Sequence, residues 1–488
     1  MKKKLFVFLI PIVLITISLL PRKENKELVS NTDNLVSFTV DGVESKTMPT
    51  KGSGYIANKI TCKNGSIITF DNDNYIIEVE KLESADACKI DFSKEKGSNT
   101  VTVTISNTNK IDSTSKTTTE GGKVVFYLTG EPESITGGEY TLSSNKLIVN
   151  NIISNINLNI TMSKTLYDQL LIDNSTIKTR TDFDTTFTET NTGTLYKATE
   201  SIAGNTPKDV YYFAGDAKNN WVKFGGFYWR IIRTNYDESI RLLYSGTSHN
   251  TTSGYIWTSA FNSPYNNDPM LVGYMYGTSG SLDSNRTNEN DSTIKKVIDS
   301  WYENNLKNNY GKYLSLTAVY CNDRNVSDGT YCPNCSTDFS FAGRTRIDTN
   351  KTPSYDCENV GDKFTVDAST GNGSLKYPIA LMTSDEVVYA GGMIYMNATT
   401  WFYYNSVKTS STGNYMWWLM TPFLWNNSGR AGVLLLDGQM YPGNLKAYYV
   451  HNASAVRPVI SLKSCVKYLS GDGSATNPYI IEETSTGC

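Results

Sequence analysis

Histidine is nearly absent from this sequence, and its scarcity excludes several kinds of site. Only two histidines, His249 and His451, occur among 488 residues. A histidine-rich metal site therefore cannot form, and a Ser-His-Asp triad would have to recruit one of two residues that both lie in predicted loops. We expect His451 to be a surface histidine rather than a general base.

Charge is also sparse. The 45 lysines and arginines are balanced by 48 acids, for a net charge of -3, so no basic field attracts nucleic acid. Two adjacent acid pairs have local explanations, because Asp237-Glu238 lies in a predicted turn and Asp385-Glu386 in a predicted helix cap. Paired-carboxylate glycosidase chemistry is therefore not expected. The sequence assigns no catalytic residue, and we expect a protein that is not an enzyme.

Tyrosine, by contrast, is abundant. The chain has 32 tyrosines, and the surrounding sequence is rich in asparagine, serine and threonine. This composition is typical of an all-β or α+β surface protein with polar, aromatic loops. An AT-rich genome, which enriches asparagine and tyrosine without functional meaning, is an equal alternative. A length of 488 residues is enough for several domains with a sizeable core.

The N-terminus predicts export. Three lysines, Lys2 to Lys4, precede a largely apolar run from Leu5 to Leu20, and positive charge before such a run directs the following chain outward. The run exceeds a usual signal-peptide core but is shorter than the ~20 residues that span a bilayer comfortably. Residues 1–27 are therefore a cleaved signal peptide or a signal-anchor that contacts the membrane. Either way, the rest lies on the extracellular face of the membrane or is secreted.

The cysteine count agrees with an oxidising exterior. An even number, eight, favours disulfides in an exported chain. Proximity in the sequence predicts the pairs Cys62–Cys88, Cys465–Cys488, Cys321–Cys357 and Cys332–Cys335. Three alternatives remain open: an exchange of partners between the last two pairs, a zinc site formed by Cys321, Cys332, Cys335 and Cys357, and a redox pair in Cys332-Pro333-Asn334-Cys335.

The chain divides into four regions after the leader. Alternating apolar residues and turn clusters indicate short strands in the first two regions. The predicted regions are a β module at 36–108 with Cys62–Cys88, a second β module at 110–162, a helix capped by Ser163 with a mobile or loosely draped Thr-rich linker at 163–194, and a head at 195–485.

The head is predicted to combine strands with two helices. Apolar residues at helical spacing predict a helix from Ile294 to Leu306, capped by Asp291 or Ser292. A capping box, Thr383 to Glu386, begins a second helix that should end at Gly391-Gly392. The apolar strands are expected at 211–213, 221–224, 227–233 and 240–244.

The C-terminal part of the head carries the candidate binding residues. The apolar run 433–436 precedes Asp437-Gly438, a hairpin turn signal, and a polar, aromatic loop at 441–454 should follow before a last strand at 455–462. Aromatic rings beside amides suit sugar faces and protein epitopes alike. The candidate ligand-binding residues are Trp425, Asn426, Asn427, Tyr441, Asn444, Tyr448, Tyr449 and His451.

Two further residues have expected structural or metal roles. Arg457 should be buried and pin the closing strand to a backbone or carboxylate partner. Trp425-Asn426-Asn427 faintly resembles a calcium-ligand triplet but lacks a carboxylate, so a calcium-dependent sugar site is a minor alternative and no cofactor is expected.

Several segments resemble a family of exported bacterial proteins of unknown function. They are FYWRIIR (227–233), CNDR (321–324), GDKFTV (361–366), GNGSLKYPIALMTSDEVVYAGG (371–392), WWLMTP (417–422) and AVRPVISLK (455–463). The resemblance implies that residues 195–485 adopt the C-type-lectin-like fold shared by formylglycine-generating enzymes and retroelement-diversified receptor proteins. The segment from WWLMTP to AVRPVISLK holds no cysteine, so the cysteine oxidation that formylglycine-generating enzymes carry out is not expected.

These observations together predict a multidomain protein: two small β-sandwich-like modules followed by an α+β C-type-lectin-like domain. We expect it to bind an extracellular glycan or protein through loops of the head. Two alternatives remain open, an extracellular oxidoreductase that uses Cys332 and Cys335 and a purely structural envelope protein.

Overall fold

The computed structural model describes residues 35–94, 97–202, 205–265, 267–334, 337–401, 416–437 and 443–488. The chain forms two compact units that meet in sequence between Met162 and Ser163. Strands take up 42% of the protein and helices 12%, so the chain is multidomain and rich in β-structure. The predicted leader, residues 1–27, lies outside the described residues.

The described residues of the first unit form strands and one 3-10 turn. The turn is Thr108–Lys110. The strands are β1 (Leu35–Val40), β2 (Val43–Ser45), β3 (Tyr55–Cys62), β4 (Ile67–Asp71), β5 (Ile76–Lys81), β6 (Ala87–Lys94), β7 (Ser98–Ile105), β8 (Ser115–Thr119), β9 (Gly122–Tyr127), β10 (Pro132–Thr136), β11 (Thr141–Ser143), β12 (Lys146–Ile152) and β13 (Ile156–Met162).

Two separate apolar cores divide this unit. The first core, around Ile90 and Phe92, is enclosed by a sheet of order β2-β1-β6-β3 and the hairpin β4–β5. The second core, around Phe126 and Leu147, lies between sheets of order β10-β13-β7-β8 and β11-β12-β9. The predicted boundary at 108–110 is therefore wrong, because β7 pairs in parallel with β13 and belongs to the second core.

The second unit contains the remaining described strands and all the described α-helices. Its strands are β14 (Thr176–Thr179), β15 (Thr190–Asn191), β16 (Thr194–Glu200), β17 (Lys208–Tyr212), β18 (Asp216–Ala217), β19 (Trp221–Phe224), β20 (Phe227–Thr234), β21 (Ile240–Tyr244), β22 (Trp257–Ala260), β23 (Met275–Tyr276), β24 (Asn290–Asp291), β25 (Tyr320–Cys321), β26 (Val326–Asp328), β27 (Phe339–Phe341), β28 (Lys363–Phe364), β29 (Ile379–Ala380), β30 (Met393–Ile394), β31 (Trp417–Asn426), β32 (Arg430–Asp437), β33 (Asn444–Tyr449), β34 (Ala453–Val456), β35 (Val459–Leu462), β36 (Tyr468–Ser470) and β37 (Tyr479–Ile481).

The helices of this unit are short. They are α1 (Leu166–Asp173), α2 (Leu282–Asn285), α3 (Thr293–Asn305), α4 (Ala342–Arg344) and α5 (Ser384–Tyr389), with 3-10 turns at Pro269–Val272, Gly311–Tyr313 and Val360–Asp362 and a π turn at Thr345–Thr349. No described helix has the length and apolar character needed to cross a bilayer.

Two large sheets share one continuous core. The ten-stranded sheet follows the path β14-β16-β17-β20-β19-β37-β36, with β21, β35 and β29 continuing from β20. The eight-stranded sheet follows the path β22-β34-β31-β32-β33-β30, with β27 and β26 continuing from β31. Apolar residues of both sheets, including Trp229 and Trp418, lie in the same buried cluster. The segment that enters this unit lies near its last residue, because the amide of Leu166 donates to the carbonyl of Val466 at 2.8 Å and the neighbouring Cys465 is bonded to Cys488.

The C-terminal hairpin differs from its prediction. The tight turn of the hairpin joins β31 to β32 and centres on Asn427 to Gly429, where Gly429 has a φ of 68°. Asp437 ends β32 and is buried, and Gly438 lies outside the described residues. The predicted polar loop is wrong for residues 444–449. They form β33, and every one of them pairs with a residue of β32.

The predicted N-cap residue is confirmed for two helices and is wrong for a third. Ser292 caps α3 and Thr383 caps α5 in a capping box with Glu386, as predicted. The predicted cap at Ser163 is wrong, because Thr165 accepts from the amide of Asp168 while the Asp168 carboxylate accepts from the amide of Thr165. This reciprocal pair satisfies two helix-end donors, which Ser163 lies too early to reach.

The Thr-rich segment is not a mobile linker. Its first residues form β14, which pairs in parallel with β16. The Arg180 guanidinium donates to the carbonyl of Tyr389 at 2.7 Å and lies 4.8 Å from the rings of Phe183 and Phe187. Because Phe183 and Phe187 pack against buried tyrosines, the segment is held in place within the second unit.

Three predicted disulfides are confirmed. Cys62–Cys88, Cys321–Cys357 and Cys465–Cys488 are bonded. The four-cysteine zinc site is therefore wrong, since Cys321 and Cys357 carry no free thiolate for a metal. The predicted pairing of Cys332 with Cys335 involves a residue, Cys335, outside the described residues.

Candidate functional site

The structure brings part of the predicted binding set together on one surface. Asn426 and Asn427 follow from the end of β31, Tyr449 ends β33, and His451 lies in the turn before β34. Tyr265, which the sequence did not single out, joins them from a loop after β22. We call this surface the Tyr449 face and define it as Tyr265, Asn426, Asn427, Arg430, Tyr449 and His451.

Ring contacts organise the Tyr449 face. The Tyr449 and His451 rings lie 6.4 Å apart at an interplanar angle of 11°, and the Tyr265 ring lies 5.3 Å from the His451 ring. Tyr265 is 56% exposed, and the other two are half-buried. The three rings therefore form a row that is accessible along part of its length.

Polar groups fix the end of this row. The Asn426 amide donates to the Tyr449 hydroxyl at 2.8 Å, and the Arg430 guanidinium lies 5.2 Å from the Tyr449 ring centre. The Asn426 amide oxygen accepts from the backbone amides of Ser428 and Arg430, so the β31–β32 turn and the Tyr449 ring are held by one side chain. Such positioning reduces the conformational entropy lost when a ligand binds.

Other predicted contact residues do not belong to this surface. Trp425 and Asn444 are buried, and both are corrections to the predicted contact set. The Trp425 ring packs against Phe339. Tyr448 is half-buried and packs against Trp418, and Tyr441 lies outside the described residues. These residues changed role because a strand, unlike a loop, sends alternate side chains to opposite faces.

The residues named for calcium have other partners. Trp425 is buried, and the Asn426 oxygen already accepts two backbone amides. Asp437, the nearby acid of the hairpin, forms an ion pair with Lys446. In the first unit, Cys62, Asp86 and Cys88 lie within 4.8 Å of one another, but both cysteines are in a disulfide and offer no thiolate.

Arg457 holds the two large sheets together. It is buried, and its guanidinium lies 4.3 Å from the Trp417 ring centre. Its Nε donates to the carbonyl of Tyr244 at 3.0 Å and its Nη2 to the Ser245 hydroxyl at 3.1 Å. The side chain thus links β31, in one sheet, to the end of β21, in the other.

A buried charged cluster, which the sequence did not reveal, lies beside α5. We define the charged cluster as Glu200, Arg233, Arg241, Asp323, Arg346, Asp385 and Glu386. Arg233 and Arg241 are directly opposite each other on the antiparallel strands β20 and β21, where two like charges repel. Glu386 lies between them, and its Oε1 accepts from Arg233 at 3.1 Å and from Arg241 at 2.6 Å.

Glu386 also serves the helix. Its other oxygen, Oε2, accepts from the amide of Thr383 at 3.0 Å as part of the capping box. Burial alone would raise the pKa of Glu386, but Arg241 and Arg233 outweigh it and hold the pKa below its usual value. One carboxylate therefore caps α5 and pairs with two arginines, while Glu200 supplies a second anion to Arg233 at 3.0 Å. The sequence signal revealed only the cap.

The rest of the charged cluster surrounds Arg346. Its guanidinium makes a two-pronged contact with Asp385, at 2.7 and 3.0 Å, and donates to Asp323 at 2.8 Å. Burial raises the pKa of Asp323, and the Arg346 charge opposes that rise. Paired geometry of this kind is the usual way to bury charges at tolerable cost.

The cleft beside the charged cluster is too small for an organic ligand. It has room for about one or two water molecules. Arg241 Nε and the Tyr355 hydroxyl, both buried at its walls, find no hydrogen-bond partner among the described residues. Two stray donors in a space of this size suit bound water, so the cluster is part of the framework rather than a binding site.

A larger groove lies between α3 and the start of β22. Its volume is about 490 Å³ and its surface is mostly apolar, within the range of small-molecule sites. The lining includes Trp257, Val297 and Trp301, with Lys296, Asn304 and Asn305 beside them. We call it the Trp257 groove. Trp257 begins β22 and is exposed, whereas the preceding Ile256 packs against the main core.

Comparison with known proteins adds no identity, because no family model, curated protein or solved structure matches the chain. The function must therefore be argued from the surfaces described above.

Proposed function

We propose that this is an extracellular binding protein whose C-terminal unit recognises a glycan through the Tyr449 face. One observation carries the proposal: three rings, of Tyr265, His451 and Tyr449, lie in a partly accessible row with amide and guanidinium groups at one end. Ring faces stack on the apolar face of a sugar, and the polar groups bond to its hydroxyls.

The wider setting of the protein belongs to the same proposal. The N-terminal segment directs export and contacts the membrane, and the first unit acts as a spacer on the extracellular side. The three disulfides support an oxidising location. We assign the second unit a C-type-lectin-like fold on the strength of its family resemblance, which agrees with large sheets, short helices and long irregular segments.

Two neighbouring proposals differ in partner. A protein ligand would use the same rings as anchors, whereas a purely structural envelope protein would use none of them. The Tyr449 face favours a glycan because its polar groups, two asparagines and an arginine, supply donors to hydroxyl oxygens at the edge of the ring row.

A binding screen of the full chain tests the proposal. The protein is applied to arrays of extracellular glycans and of surface proteins, beside Tyr449→Ala and Tyr265→Ala. Tyr140→Ala is the matched control, since Tyr140 is also an exposed tyrosine but lies in the first unit. We expect glycan binding that both face variants weaken and the control leaves intact. Blank arrays would favour a structural protein, and binding to proteins alone would replace the glycan as ligand.

A further inference from the structure

Trp257 is exposed in a protein that otherwise buries its tryptophans. Six of the eight tryptophans in the chain are at most 2% exposed, whereas Trp257 is 65% exposed. The seventh, Trp301, is half-buried and lines the same groove. Exposing a large aromatic ring to water is unfavourable, so a ring kept on the surface beside a groove suggests a binding role.

We propose that the Trp257 groove is a second carbohydrate site, with Trp257 as the stacking platform. The inference shares its ligand class with the proposed function but depends on different residues. The groove runs along α3 from Thr293 to Asn304, a length of about 16 Å at ~1.5 Å per residue. An extended chain of several sugar rings fits this length.

The polar lining of the groove favours a ligand rich in hydroxyl donors. The amide nitrogen of Asn304 donates to the carbonyl of Ser300 at 2.8 Å, and that of Asn305 donates to the carbonyl of Trp301 at 2.7 Å. Only the NH₂ end of an amide can donate, so each side chain keeps its oxygen as a free acceptor. Neither oxygen has a partner among the residues that the structure describes. Two acceptors beside an indole ring match a sugar, which offers O–H donors around an apolar face.

The charge of the groove lining limits the charge of the ligand that it can bind. Its lining contains a single charged residue, Lys296, which is exposed and forms no ion pair with any described residue. A strongly charged ligand would find one opposite charge at most. A neutral sugar, or one with a carboxylate placed beside Lys296, fits this balance, and the two are separable by experiment.

The test titrates the full chain with soluble oligosaccharides of glucose, N-acetylglucosamine and galacturonic acid, followed by calorimetry. We expect binding of at least one, and a loss of affinity of about tenfold or more in Trp257→Ala, equivalent to one lost stacking contact of ~1.4 kcal/mol. Trp257→Phe, which keeps a ring, should restore part of the affinity. Lys296→Met should weaken galacturonic acid oligosaccharides alone.

Parallel titrations of Tyr449→Ala separate this inference from the proposed function. A loss in Trp257→Ala with normal binding in Tyr449→Ala supports the groove and overturns the Tyr449 face as the glycan site. A loss in Tyr449→Ala with normal binding in Trp257→Ala overturns the groove and leaves the proposed function standing. A loss in both supports both sites, and no binding by the wild-type protein overturns both. Because Trp257 is exposed, its replacement should leave the unfolding midpoint unchanged, which circular dichroism checks.

Discussion

The charged cluster and the Tyr449 face both contain residue types that are common in binding sites. They differ in how many of their side-chain contacts are already made within the protein. In the charged cluster every carboxylate meets an arginine, and the remaining space admits only water. On the Tyr449 face the rings keep part of their surface open. Unusual residues therefore indicate a binding site only when some of their contact capacity remains unused.

The largest expected effect follows from removing the centre of the charged cluster. Glu386→Ala leaves Arg233 and Arg241 opposed and buried without their shared anion, and loss of one partner of a buried pair costs about 3–5 kcal/mol. Urea unfolding of the full chain measures this change. Glu289→Ala is the control, since Glu289 is exposed and should change stability by less than about 0.5 kcal/mol. A cost near that of the control would show that the cluster is not part of the framework.

A similarly large effect is expected from the disulfide at the wall of the cleft. Cys321 and Cys357 are separated by 36 positions, and a cross-link of that span stabilises by ~4 kcal/mol through the entropy of the unfolded chain. The double change to serine should lower the melting temperature of the second unit, as followed by differential scanning calorimetry. An unchanged melting temperature would contradict the prediction.

A smaller effect distinguishes the ring from the hydroxyl at Tyr449. Tyr449→Phe removes the hydrogen bond from Asn426 but keeps the ring, so unfolding should become easier by about 1 kcal/mol. Glycan affinity should fall less than in Tyr449→Ala, where the stacking surface disappears. Equal losses in the two variants would assign the interaction to the hydroxyl rather than the ring face.

The smallest effect is a pH dependence that originates in Glu386. Its pKa is lower in the folded protein than in the unfolded chain, so its stabilising contribution is present above its unfolded pKa of about 4.3 and is lost as the pH falls below that value. Asp323, whose pKa is raised, changes in the opposite sense. Comparing wild type with Glu386→Gln isolates the first contribution: the variant should lose less stability between neutral and acidic pH. Parallel stability curves would argue against it.

Local signals were predictable from the sequence, and long-range pairings were not. The caps at Ser292 and Thr383 and the three disulfides depend on residues that are close in the sequence or few in number. The prediction placed β7 in the first β module, which is wrong. Alternating apolar residues indicate that a strand exists but do not indicate which strand it pairs with. Its partner, β13, lies about fifty residues away. The Thr-rich segment failed for a related reason, since three docking residues outweigh a polar composition.

The candidate site was predictable only in part. Of the candidate residues, Asn426, Tyr449 and His451 lie near one another. Asn444 is buried because part of the predicted loop forms β33, and Trp425 is buried in β31, a strand that the sequence did not indicate. Glu386 was predicted as a cap, while its two arginine partners lie 145 and 153 positions away. Contacts across such spans follow from tertiary packing, which a single sequence does not display.

The meeting of Leu166 with Val466 has a practical consequence. Because Cys465, the residue before Val466, is bonded to Cys488, both ends of the second unit lie near each other. A unit of this kind can be inserted into a surface loop of another protein with little strain on that loop. The second unit can therefore be inserted into a host protein and studied there without the N-terminal part of the chain.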